Sequence, residues 1–125
     1  MIVDTDVIIW YMRGNDKARI AIEKIENFQL SVVSYMELVQ GMRNKNELRE
    51  LRNAMTDWGV NVVLINETIS AKALFLVERY FLSHKLELAD ALIASTAISC
   101  GLPIFTGNDK HYRMIDDLHV SKFHP

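Results

Sequence analysis

A three-layer α/β/α fold around a central, mainly parallel sheet of four to five strands is what this sequence predicts. Short β-branched and apolar runs alternate with longer stretches of helical periodicity, the pattern of a parallel sheet covered on both faces. At 125 residues, half of them apolar and 24% charged, the chain suffices for one core without disulfides or structural metal. No linker, repeat or low-complexity tract interrupts it, so one domain over residues 1–125 is expected.

The first strand is read over residues 1–3, ending at an acidic residue. Thr5 or Asp6 is expected to cap a short helix through Met12, stopped by Gly14-Asn15. Residues 16–26 repeat Ala18, Ile22 and Ile25 at helical spacing. A second strand is expected over 28–33, followed by a helix that starts at Ser34 and stops at Gly41. Residues 46–58 form a charged helix with Leu48, Leu51 and Met55 on one face. A third strand (60–65), a long helix (68–82) and a further helix (88–100) follow, the last ended by Gly101-Leu102-Pro103. Residues 103–105 make a fourth strand, 109–115 a short helix and 120–123 a weak last strand.

The bulk properties narrow the function. The single cysteine, Cys100, cannot form an internal bridge, lies in an apolar stretch and suits a reducing cytoplasm. Asp4 and Asp6 break the apolar start, so no signal peptide is expected. The longest uncharged run, 91–108, contains Ser95, Thr96, Ser99, Gly101 and Pro103 and is a poor membrane span. With a formal net charge of −2, a nucleic acid would have to be held by local basic patches or by metal.

In parallel α/β sheets the reactive groups lie beyond the carboxyl ends of the strands. Asp4 follows the first strand, Glu37 lies one helical turn past the second, and Thr106-Gly107-Asn108-Asp109 follows the fourth. All of these fall at one edge. Asp4, with Thr5 and Asp6 available as caps, is left free to act as a ligand. Ser34-Tyr35-Met36-Glu37 matches a capping box, so its local structural role competes with a functional one. Asp90 sits in Leu88-Ala89-Asp90-Ala91-Leu92-Ile93-Ala94, stacked with Leu86, Ile93 and Ala97, where a charge needs a cation or hydrogen bonds; the competing reading is a cap for a helix starting at Ala91. Thr106 and a nearby amide or acid suit the orientation of water, although turn chemistry alone also selects these residues. The sequence leaves open whether Asn108 or Asp109 faces the site.

Carboxylates that meet repel, and their counterpart is a hard divalent cation bound through oxygen. No Cys or His spacing selects zinc, and the scattered His84, His111, His119 and His124 read as surface residues. Magnesium or manganese in such a pocket activates water and neutralises phosphate charge. There is no Gly-rich phosphate loop with lysine.

Taken together, Asp4-Thr5-Asp6-Val7, Ser34-x-x-Glu37, the Leu88–Ala94 segment and Thr106-Gly107-Asn108-Asp109-Lys110-His111-Tyr112 resemble PIN domains, in particular the VapC-type toxins of toxin–antitoxin pairs. The resemblance implies a PIN-like fold and a magnesium-dependent endoribonuclease acting on RNA, manganese being a possible substitute. It also implies a homodimer and a cognate antitoxin that blocks the site. By this likeness Asp4, Glu37 and Asp90 form the metal site, Asn108 matches a fourth position occupied by Asp or Asn, and Thr5, Asp6, Ser34, Thr106 and Asp109 support it. The family usually has Asn where this chain has Asp6, and with Asn108 in place of an acid a second metal loses a ligand. RNA would be gripped by Arg43, Lys45, Arg49 and Arg52 and by Lys110 and Arg113, for which a solvated face paired with Glu47 and Glu50 is the competing reading. Tyr35 and Tyr112 are candidates for stacking on bases. Two other classes fit less of the chain. Asp4-Thr5-Asp6 mimics the start of a haloacid-dehalogenase-type phosphatase, but no placed lysine accompanies it. A non-catalytic RNA- or protein-binding module would not need Asp4, Glu37 and Asp90.

Overall fold

The computed structural model describes residues 1–125. Its elements run β1 (Ile2–Val3), α1 (Thr5–Met12), α2 (Asp16–Lys24), β2 (Gln29–Ser31), α3 (Val32–Gln40), α4 (Lys45–Trp58), β3 (Asn61–Val63), α5 (Glu67–His84), α6 (Leu88–Cys100), β4 (Ile104–Thr106) and β5 (Val120–Lys122). The five strands form one sheet in the order β3-β2-β1-β4-β5, every pairing parallel. The α/β class and the parallel sheet are as the sequence predicts.

Strand alternation divides the core between the two faces of the sheet. Ile2 packs with Leu76, Ile93, Ala94, Ala97 and Ile104 beneath α5 and α6. Its neighbour Val3 points the other way, toward Val7, Ile8, Ile22, Leu30, Leu38 and Leu51 of α1 to α4. α6 is the most enclosed helix, burying Ala91, Ile93, Ala94, Ser95, Thr96 and Ala97, which explains why its sequence carries so few charges. Gly101, at φ +65°, closes it in the left-handed conformation that glycine adopts without penalty. Cys100, expected in the core, is only half-buried at the end of that helix.

The chain steps outward from β1 to β2 to β3, then returns to place β4 on the other side of β1. The crevice at the carboxyl ends of β1 and β4 is therefore the switch point of the sheet, where parallel α/β folds bind ligands.

Several boundaries differ from expectation. β2 ends at Ser31, and Ser31 caps α3 by accepting from the Val33 amide at 3.1 Å. Two β-branched residues that favour a strand thus open a helix instead, because the earlier serine supplies the cap. The segment expected as a helix over 109–115 forms only a 3-10 turn, Asp109–His111.

Candidate active site

Asp4 ends β1, is 5% exposed, and caps α1 itself: its Oδ1 accepts from the Thr5 amide at 2.8 Å. The expectation that Thr5 or Asp6 would cap in its place is corrected, since α1 begins one residue earlier. Its other oxygen, Oδ2, accepts from the fully buried Thr106 hydroxyl at 2.8 Å. Thr106 Oγ1 in turn accepts from the Asn108 amide at 2.9 Å. The carboxylate is thus held at the crevice by one donor from the start of α1 and one from the end of β4.

Glu37 reaches the same edge from the middle of α3, where Thr5 donates its hydroxyl to Glu37 Oε1 at 2.8 Å. The capping box does not form. With α3 starting at Val32, Ser34 lies inside the helix, buried and without a hydrogen-bond partner for its Oγ. Ser34 therefore supports no other site group, and Glu37 is free of any local backbone duty. Glu37 borders two hollows of about 620 and 470 Å³, one toward Val33, Met36 and Leu48, the other toward Met12, Arg13 and Arg43.

Asp90 stands in the first turn of α6, where the helix dipole favours an anion. It is not the helix cap, because α6 starts at Leu88 and Glu87 occupies that position. Its Oδ1 accepts from the Tyr112 hydroxyl at 3.3 Å, and its Oδ2 lies 3.1 Å from His111 Nδ1. His111, expected as a plain surface residue, therefore joins the site. Tyr112, an expected stacking platform for bases, is fully buried and cannot serve as one.

Asp6 Oδ2 accepts from the Gly107 amide at 2.9 Å, while its Oδ1 is buried without a partner. Gly107 has to be small here, since a Cβ would meet Asp6 Oδ2 at 2.6 Å. Asn108 is exposed and contributes its backbone amide to Thr106. Asp109 is taken up by Lys122 at 3.2 Å and Arg113 at 3.6 Å, which hold its carboxyl below the ordinary value. Neither partner belongs to the Asp4 cluster.

Burial raises the pKa of Asp4, against the lowering effect of the Thr106 and Thr5 hydrogen bonds. Burial and the neighbouring Asp4 charge push Asp6 up to about 6. Asp90 is raised by burial and by the charges of Asp4 and Glu37, while His111 opposes this. These shifts mark acids that sense one another across the crevice with too little positive charge to balance them.

No three His, Cys, Asp or Glu side chains are gathered tightly enough to make a ready-made metal cage. Magnesium needs none, because it binds through one or two carboxylates and keeps several waters. The donors here are hard oxygens, Asp4 buried, Asp90 half-buried and Glu37 exposed at the mouth, whose charges repel one another, and they fit such a cation.

The sequence profile of the PIN domain matches residues 1–117. The chain belongs to the PIN-domain family. It is 35% identical over 122 residues to ribonuclease VapC10 of Mycobacterium tuberculosis, covering 94% of this chain and 90% of that protein. Ribonuclease VapC19 of the same organism is 30% identical over 122 residues, covering 94% and 95%. A solved toxin–antitoxin complex from Klebsiella pneumoniae matches at TM-score 0.82 and 25% identity, covering 97% of this chain and 95% of the matched one. VapBC2 from Rickettsia felis, solved with a DNA fragment from their promoter, shares the fold at TM-score 0.81 and 19% identity, covering 98% of each chain.

Within this PIN domain the expected basic residues divide. Arg43 is bound to Glu47 at 2.8 Å and Arg113 to Asp109, whereas Lys45, Arg49, Arg52 and Lys110 are exposed and form no ion pair. Sequence reasoning missed His111 as a site residue and gave Tyr112 a stacking role that its burial rules out. The signal available was their place in the segment after the fourth strand, directly behind Thr106-Gly107-Asn108-Asp109.

Proposed function

We propose that this PIN domain, taken as one domain over residues 1–125, is an endoribonuclease and the toxin of a VapBC-type toxin–antitoxin pair. The observation that carries the proposal is the convergence of Asp4, Asp90 and Glu37 at the β1–β4 crevice, with the first two carboxyls raised by burial. The named ribonucleases among its relatives support the reaction class. Asp4 and Asp90, with Glu37 beside them, would hold magnesium or manganese, which when bound activates water and offsets charge on the phosphate.

The chain's own residues supply the rest. Thr106 and the Thr5 amide fix both oxygens of Asp4, so its orientation is set before RNA arrives. Glu37, fixed by the Thr5 hydroxyl, accepts the proton of the attacking water as the new P–O bond forms. The ribose oxygen leaves as the old P–O bond breaks. Lys45, Arg49, Arg52 and Lys110 hold the RNA backbone near the mouth of the crevice.

The solved toxin–antitoxin complexes support an antitoxin as partner; the apolar hollow beside Glu37 is the surface we propose for it. A homodimer is supported by the exposed Leu74, Phe75, Phe81 and Leu82 of α5. A phosphatase mechanism through an aspartyl-phosphate is disfavoured, since the lysines that form ion pairs, Lys72 and Lys122, meet Asp117 and Asp109 and none pairs with Asp4.

The test is RNA cleavage by the purified protein with Mg²⁺ or Mn²⁺, its arrest by chelator, and its loss in Asp4→Asn and Asp90→Asn variants that still fold. Full activity in either variant overturns the site assignment. Growth arrest on expression without an antitoxin, relieved by Asp4→Asn, tests the toxin role.

A further inference from the structure

The geometry points to Tyr112 as a positioning residue: its buried hydroxyl donates to Asp90 and presets that carboxylate for a cation. This rests on the metal-site reading above and adds to it a residue outside the acidic set.

Tyr112 follows the 3-10 turn Asp109–His111, and its ring lies fully buried in the cluster that contains Ile2, Ile104 and Ile115. A phenylalanine would fill that volume. The hydroxyl therefore needs a separate explanation, because a buried polar group is costly unless it is hydrogen-bonded. Its partner is Asp90 Oδ1 at 3.3 Å. The Thr106 hydroxyl and the Thr5 amide hold Asp4, whereas Asp90 has the Tyr112 hydroxyl and, on its other oxygen, His111. Tyr112 thus does for Asp90 what Thr106 does for Asp4, from a part of the chain 22 positions away.

The hydroxyl has one proton to give, and the buried ring holds it against Asp90. Partners of this kind, which orient a metal-ligating carboxylate, typically govern metal affinity by about ten- to a hundredfold.

The experiment compares wild type with Tyr112→Phe, which keeps the buried ring. Mn²⁺ dissociation constants are measured by titration calorimetry, with kcat and KM for RNA and melting curves in chelator alongside. The expected result is an Mn²⁺ affinity about tenfold weaker, a matching fall in kcat and little change in KM. An Mn²⁺ affinity within twofold of wild type, with only the melting curve altered, would reduce the hydroxyl to a packing group and overturn the inference. A wild-type protein that binds no Mn²⁺, or an Asp90→Asn variant that binds it equally well, would instead overturn the metal site itself.

Discussion

Thr106 reaches Asp4 across 102 positions of sequence, and Gly107 reaches Asp6 across 101, both at the crevice between β1 and β4. At the start of α4, Arg43 meets Glu47 only four positions away, in solvent. Both regions are rich in charge, but their physics differs. Around Asp4 burial and neighbouring charge raise the acids, and the hydrogen bonds from Thr106 and Gly107 depend on the sheet being assembled. Around Arg43 water screens the pair, and one helical turn is enough to form it. A concentration of charge therefore indicates function only where folding removes the water around it.

The largest effect that separates the two regions belongs to Asp4 and Asp90. Asp4→Asn and Asp90→Asn should each lower kcat by more than about a hundredfold, beyond the loss typical when only a partner of a metal-binding carboxylate is removed, with circular dichroism unchanged. A comparable loss on removing Arg43 would erase the distinction.

Next come the hydroxyls. Thr106→Val leaves Asp4 Oδ2 without a donor and the Asn108 amide without an acceptor, while Thr5→Val frees Glu37. Each is expected to cost about tenfold in kcat. For Thr106→Val, urea unfolding should also show a loss of about 1–3 kcal/mol.

Asp6 gives a test in pH. Its folded pKa is raised from 3.8 to about 6, so its contribution to stability is full below pH 4 and is lost as pH rises through 6. Because Asp6 is only partly buried and solvent screens it, the metal-free protein loses about 1–2 kcal/mol from this group over that window. Asp6→Asn keeps an acceptor for the Gly107 amide and removes the charge. In chelator the variant should match wild type near pH 4 and exceed it by about 1–2 kcal/mol at pH 7. Unfolding curves at the two pH values check this, and added Mn²⁺ should shrink the difference because a nearby cation favours the ionised acid.

The smallest effect is expected at α4. Arg43→Ala should leave the melting temperature within about 1 °C of wild type, since exposed pairs of this spacing contribute little.

The alternation of strand and helix, and the position of Asp4, Glu37 and Thr106 at one edge, were legible because each follows from local pattern and chain order; Asp90 was legible only as a charge among apolar helix residues. The capping box at Ser34 misled because a serine cap depends on where the preceding strand releases the chain, and Ser31 stood three residues earlier with the same chemistry. Asp109 looked equivalent to Asn108 in the sequence. Its removal from the site required Lys122 of β5 to be folded beside it.

The sequence by itself determined the elements, the parallel class of the sheet and the acids available for chemistry, since periodicity and caps act over a few residues. Only the tertiary structure decided that β4 lies beside β1, that Tyr112 turns its hydroxyl inward to Asp90, and that Asp6 is crowded against Gly107. These arrangements depend on burial and on partners about 20 to 100 positions away, and neither exists until the sheet closes.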